Sequence, residues 1–194
     1  MQRSNREEIL DAVADSVRAV GVRRTTMAEI ARRADLSRST LYTHFSDVRE
    51  ATAALLTREL LSLLAAATDE RDDPDVAGRD GRHQLVDRAV LLVRVVPDDP
   101  LIERILELDA ELLVPYLVHR LGSSQRAMLD AVTDFVAAGQ EDGSIRGGDA
   151  REIAFTVFLV GQSFVISARI AAAEHGREKV LAELEHVLHR SLAP

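Results

Sequence analysis

The chain has 194 residues, 46% of them hydrophobic, and a formal net charge of −8, which is long and apolar enough to bury a substantial core and excludes the disordered class. It contains no cysteine, so disulfides, thiolate metal sites and a cysteine nucleophile are excluded together. No unbroken apolar run approaches the ~20 residues that span a bilayer, and the opening MQRSNREEIL lacks a signal-peptide core; a cytoplasmic protein with no membrane partner is expected.

The acidity is segregated along the chain. Residues 1–60 hold 10 Arg against 9 Asp and Glu, a net +1, whereas residues 61–194 hold 14 Lys and Arg against 23 Asp and Glu, a net −9. Between Val22 and Arg49 stand Arg23, Arg24, Arg32, Arg33, Arg38 and Arg49 against Glu29, Asp35 and Asp47, a local basic patch. On charge alone, a solvated helix face explains that patch at least as well as a nucleic-acid contact does.

From Arg6 to Val20, Ile9, Leu10, Val13, Val17 and Val20 recur at three- and four-residue steps, which predicts one helix stopped by Gly21. Thr26-Met27-Ala28-Glu29 has the form of a capping box, threonine hydroxyl and glutamate carboxylate both serving free amides. Met27, Ile30, Ala31 and Ala34 form the buried side of this second helix. Asp35-Leu36 makes a turn and Ser37 caps a third helix, with Leu41 and Phe45 facing inward. Helix, short turn, helix is the DNA-binding helix-turn-helix spacing, whose second helix lies in the major groove. With Leu41 and Phe45 anchored, Ser39, Thr40, Tyr42 and Thr43 turn outward and Arg38 projects from the first turn. Arginine suits guanine, a threonine methyl suits thymine, and hydroxyls suit phosphate.

Asp47 is placed to cap a fourth helix running to about Ala67. The tract TDERDDPDVAGRDG, residues 68–81, reads as a linker. Helices are predicted over 83–96, over 100–113 with Asp99 as cap and Pro100 in the first turn, and over 123–140, 149–173 and 177–192. VLLVRVV, residues 90–96, has no partner strand and belongs to a buried helix. In the helix over 149–173, Ile153, Phe155, Val157, Phe158, Leu159, Val160, Phe164, Val165 and Ile166 leave little polar surface, so it should bury two faces. A helix central to a monomer is the alternative.

TTMAEIARRADLSRSTLYTHFSD, residues 25–47, resembles the helix-turn-helix of TetR-like bacterial transcription regulators, whose pattern runs T-x-x-x-I-A-x-x-A-G-V-S-x-x-T-L-Y-x-H-F. Ile30, Ala31, Ala34, Ser37, Thr40, Leu41, Tyr42, His44 and Phe45 match it. The resemblance extends over about residues 6–60, and EDGSIRGGDAREIA, residues 141–154, is similar to a joint before the penultimate helix of these proteins. Two positions depart: Asp35 stands for Gly, in a left-handed conformation that aspartate tolerates, and Val48 stands for a phosphate-contacting Lys, which leaves open whether Arg49 replaces that contact.

The resemblance implies an all-α protein with a three-helix helix-turn-helix DNA-binding domain over residues 1–47. A larger C-terminal effector-binding and dimerisation domain would cover 48–194, entered through a connecting helix over 48–67. It implies a homodimer on the double-stranded DNA of a palindromic operator, with Arg38, Ser39, Thr40 and Thr43 at base edges and Thr26, Tyr42 and His44 at phosphates around the cap Ser37. It implies a four-helix dimer interface, assigned to Phe158, Val165, Leu181, Leu184 and Leu188. A small-molecule effector would be met by Arg94, Tyr116, His119, Phe158 and Gln162; Phe135, Phe155, Phe158 and Phe164 favour an apolar or aromatic one, unless they are simply core. His175, His186 and His189 have no carboxylate or thiolate complement for a metal, and no cofactor is expected. Catalysis by Ser163 or Ser167 with His119 lacks a nucleophile elbow or paired acids. A DNA-binding architectural or cell-division protein without a ligand stands as the alternative to a ligand-responsive repressor.

Overall fold

In the computed structural model, residues 5–69 and 79–194 are described, and every regular element among them is helical. The linker predicted over 68–81 falls mostly outside the described residues. The helices are α1 (Asn5–Val20), α2 (Met27–Arg33), α3 (Arg38–His44), α4 (Val48–Asp69), α5 (Gly81–Val95), α6 (Pro100–Leu108), α7 (Val114–Val118), α8 (Ser123–Glu141), α9 (Ala150–His175) and α10 (Arg177–Leu192). The chain divides into two compact units, residues 1–59 with 99–125 and residues 60–98 with 126–194. The stretch 99–125, read from sequence as part of the C-terminal domain, therefore packs with the helix-turn-helix.

In the first unit, Ile9, Val13 and Val17 of α1, Ile30 of α2, Leu41 of α3 and Leu55 of α4 are fully buried together with Leu101 and Ile105 of α6. Each such side chain contributes about 1.5–3 kcal/mol of burial, so α6 is part of the core that holds the helix-turn-helix. Arg58 ties α4 to α1, its Nη1 reaching Asp11 Oδ1 at 2.8 Å and Glu7 Oε2 at 3.3 Å. The helix predicted over 100–113 is shorter: it ends at Leu108, because Asp109 takes φ −139° and ψ 29° and turns its carboxylate onto the backbone of Val22. A 3-10 turn over Ala110–Leu112 and the short α7, entered at Pro115, follow.

The second unit packs α5 against α9 and α10 around Leu85, Val86 and Val93, Ile153 and Val157, and Leu181, Leu184, Leu188 and Leu192. VLLVRVV is helical, as predicted. α5 begins two residues before the expected start because Asp80 caps it, accepting from His83 N–H at 2.9 Å. Its first turn lies so close to α8 that a Cβ on Gly81 would sit 2.6 Å from Gly139 Cα. The 141–154 joint closes the unit. Ile145 is buried, and Arg146 donates from its backbone N–H to Leu192 O at 2.9 Å and from Nε to Ser191 O at 2.9 Å, serving carbonyls at the end of α10 that a helix leaves unpaired.

Candidate nucleic-acid interface

The reading helix is set by local chemistry at both ends. Ser37 caps α3 by accepting Thr40 N–H at 3.1 Å, and Phe45, buried under the Arg6 guanidinium at 4.9 Å, ends it. The turn before it uses Asp35 at φ 53°, the only left-handed non-glycine among the described residues, with Leu36 N–H bonded to Ala31 O at 2.9 Å. Aspartate thus fills the position that glycine usually takes in the resembled motif, as tolerance of that conformation predicted.

Thr26 caps α2, accepting Glu29 N–H at 3.2 Å, but the expected return contact of the capping box is not made. Glu29 instead takes Arg32 Nε at 2.9 Å and Nη2 at 2.6 Å on one side and Arg33 Nε at 2.7 Å on the other. The Arg32 guanidinium, seconded by Arg33, holds the Glu29 carboxyl down at about 2. Two of the six arginines in the basic tract therefore share one carboxylate, which leaves that cluster a net charge of +1. A third, Arg23, faces Asp109 and Glu111. Arg38 has no ion pair among the described residues and stands exposed at the first turn of α3.

Around it the hydroxyls are partly committed. Ser37 Oγ lies 2.8 Å from both Ser39 Oγ and Thr40 Oγ1, and Thr43 Oγ1 donates to Thr40 O at 2.6 Å. Thr43 thus satisfies its donor within the helix, which leaves its methyl for an apolar contact. Tyr42 is 54% exposed, and His44 is half-buried beside it. Asp47 caps α4 as predicted, accepting Glu50 N–H at 2.8 Å, and Arg49 is exposed next to half-buried Val48. An exposed, cation-bearing second helix, capped by Ser37 and anchored by buried Leu41 and Phe45, is a helix-turn-helix DNA-binding module.

The residues assigned to an effector are spread over both units. Arg94, at the end of α5, is held by Glu178 through bonds of 2.7 and 2.8 Å. Phe158 stacks on Phe155 with ring centroids 6.4 Å apart, and Gln162 is half-buried one turn further along α9. His119 is exposed at the end of α7, in the first unit, and the Tyr116 side chain lies outside the described residues. Ser163 and Ser167 are exposed on α9. One cleft of the second unit, lined by Val93, Pro97, Phe164, Ala168, Val180 and Leu181 with Arg177 as its one charged residue, holds about 20 Å³, room for roughly one water. Sequence reasoning missed Arg88, buried on α5 with its guanidinium 4.6 Å over the Phe135 ring and Nη1 donating to Gln84 O at 2.8 Å; mid-helix between Asp87 and Ala89, it gave no local signal.

The face assigned to a partner chain needs correction. Leu181, Leu184 and Leu188 are turned into the protomer's own core, because α10 packs that stripe on α5 and α9. Phe158 and Val165 are half-buried. On these two helices the exposed large apolar side chains are Phe155, Leu159, Ile166 and Ile170 of α9 and Val187 of α10. His189 of α10 lies against His83 of α5, with ring centroids 4.8 Å apart.

Residues 9–50 match the model of the bacterial regulatory proteins, tetR family. An HTH-type transcriptional regulator of Mycobacterium tuberculosis is 35% identical over 181 residues, covering 93% of this chain and 90% of that protein. Among solved structures, the repressor QsdR of R. erythropolis superposes with a TM-score of 0.73 at 13% identity, over 98% of this chain and 96% of that one. The repressor AlkX of Dietzia, implicated in biodegradation of n-alkanes, gives 0.70 at 18% identity over 99% and 98%. FadR of Bacillus subtilis, solved in complex with stearoyl-CoA, gives 0.64 at 14% identity over 96% and 98%. The chain belongs to the TetR family of bacterial transcriptional regulators. Regulators of this family bind DNA and form dimers, and often bind small-molecule effectors.

Proposed function

We propose that this chain is a ligand-responsive repressor that binds a palindromic operator as a homodimer and leaves it when a small apolar or aromatic molecule enters its C-terminal domain. The observation that carries the DNA half of this reading is the α3 face, where Arg38 remains uncommitted while Arg23, Arg32 and Arg33 are paired to acids. Arg38, Ser39, Thr40 and Thr43 meet base edges, and Thr26, Tyr42 and His44 meet phosphates around Ser37, with Arg49 taking the place of the lysine absent at Val48. The dimer half is supported by α9. It has the length and apolarity of a membrane span, with mean hydropathy 1.7, yet only 17% of its apolar window is buried within the chain. A second copy packed on Phe155, Leu159, Ile166 and Ile170 accounts for that surface, and it sets two reading helices in successive major grooves about 34 Å apart.

The effector class is supported by the phenylalanines of α8 and α9 and by two proteins of like fold, one solved in complex with stearoyl-CoA and one implicated in biodegradation of n-alkanes. Effector binding would favour a dimer state whose reading helices no longer match the groove spacing. The test is selection of bound sequences from random duplexes, followed by thermal-shift screening of apolar and aromatic compounds. An enriched inverted repeat and a ligand that both stabilises the protein and releases that repeat are expected; no enrichment would refute the regulator. Operator binding with no stabilising ligand would select the alternative reading, an architectural DNA-binding protein.

A further inference from the structure

The turn between α1 and α2 is clamped by a segment far along the chain. Val22 donates its N–H to Asp109 Oδ2 at 2.8 Å. Arg23 places Nε 3.6 Å from Asp109 Oδ1 and hydrogen-bonds Glu111 Oε1 through Nη2. Asp109 is 1% exposed, and its Oδ1 has no hydrogen-bond partner among the described residues, so a buried carboxylate is left half-satisfied, an arrangement that costs stability. Gly21 makes the approach feasible: a Cβ there would stand 3.1 Å from both Asp109 Oδ2 and Leu108 Cδ1.

This turn leads directly into the cap of α2, and the first helix of a helix-turn-helix crosses the DNA backbone with its N-terminal amides near phosphate. Arg23 and Arg24 are the cations that immediately precede that end of the helix in the chain. Arg24 has no ion pair among the described residues, whereas Arg23 is turned onto two carboxylates. Its own backbone N–H and the Arg23 guanidinium hold the Glu111 carboxyl below the usual range, with Arg49 adding to the pull.

We propose that Asp109 and Glu111 act as an internal counterpart of DNA phosphate, occupying Arg23 in the free protein so that DNA must win this arginine from them. The pair then lowers the grip on DNA without touching the reading helix, and any displacement of the segment after α6 alters that grip. The inference rests on the DNA-binding reading above.

The test is a double-mutant cycle on a random-sequence duplex, where only backbone contacts count, with the selected operator alongside. Glu111 is half-exposed, so Glu111→Gln should fold as wild type does by circular dichroism. It should tighten binding about two- to five-fold per protomer, the worth of an exposed ion pair, and steepen log affinity against log salt by about 0.9 per phosphate newly engaged. In the Arg23→Gln background, Glu111→Gln should have no effect. Unchanged affinity and slope in Glu111→Gln would overturn the proposal, and so would an equal gain with Arg23 absent, which would mean only that a negative charge had been removed. Failure of wild-type protein to bind either duplex would sink the DNA-binding reading and this inference with it.

Discussion

Replacing Arg38 by alanine removes the one arginine of α3, which is exposed and makes no ion pair among the described residues. Because no ion pair among the described residues is lost, the melting temperature should stay within about 2 °C of wild type, as for surface changes generally. A bidentate guanine contact is worth about 1–3 kcal/mol. A dimer using two half-sites therefore loses about 2–6 kcal/mol, roughly 30-fold to 10⁴-fold in affinity for the operator. Arg32→Ala is the control from the same basic tract: its guanidinium is already held by Glu29 at 2.6 Å, so its removal should cost far less. Tyr42→Phe, at a side chain 54% exposed, removes a neutral hydroxyl and should weaken operator and scrambled duplex about equally, with the salt slope unchanged. Fluorescence anisotropy on both duplexes across a salt series reads all three variants. If Arg38→Ala and Tyr42→Phe bind both duplexes as wild type does at matched salt, α3 is a solvated helix and the assignment of the reading face is wrong.

Ile170→Asp, at a position 72% exposed, should halve the mass seen by light scattering while circular dichroism is unchanged, whereas Leu184→Asp, fully buried, should unfold the protomer; a dimer persisting in Ile170→Asp would move the interface elsewhere. Gly21→Ala should destabilise by about 1–3 kcal/mol, because φ is +79° there and the new Cβ meets Asp109 and Leu108; denaturant unfolding measures it. Burial, then His83 and Arg82, push the His189 imidazole below its ordinary value of 6.5 against the opposing pull of Glu185 and Asp87. The unfolded chain therefore binds more protons in that window, and stability present at neutral pH falls as pH drops below about 6.5. Melting temperatures between pH 7 and 5 should fall less steeply in His189→Gln; parallel curves would show that the imidazole contact contributes nothing.

The elements of the helix-turn-helix were legible because their signals are local. Thr26, Ser37, Asp47 and Asp99 each cap the helix that the sequence assigned to them, and the spacing of Leu41 and Phe45 gave the buried side of α3. What sequence could not settle was which of two local partners a side chain prefers. Glu29 had a cap amide to serve and two arginines on the next turn, and charge-assisted bonds to the arginines prevailed. Asp109 was illegible for a different reason. Its partner lies 87 residues away, and nothing in ILELDAELL marks the aspartate as the residue that ends a helix in order to hold a distant turn.

The long apolar helix shows where periodicity stops being informative. Sequence established that α9 had too much apolar surface for one core face, and the structure agrees, but a hydrophobic stripe does not say whose core it enters. Leu181, Leu184 and Leu188 recur at three- and four-residue steps and qualify equally well for either side. α10 turns them inward because Leu85, Val86 and Val93 of α5 offer a matching buried row. The stripe left over, Phe155, Leu159, Ile166 and Ile170, has steps of four, seven and four residues, which places all of them on one line along the helix. An apolar line of that length packs against another helix more readily than it faces water. The same residues would satisfy a bilayer by composition alone, so composition cannot choose between the two. On the reading proposed above, the choice comes from the helix-turn-helix: a module built to meet duplex DNA gains affinity by doubling, and doubling along this line would hide the surface that the single chain leaves open.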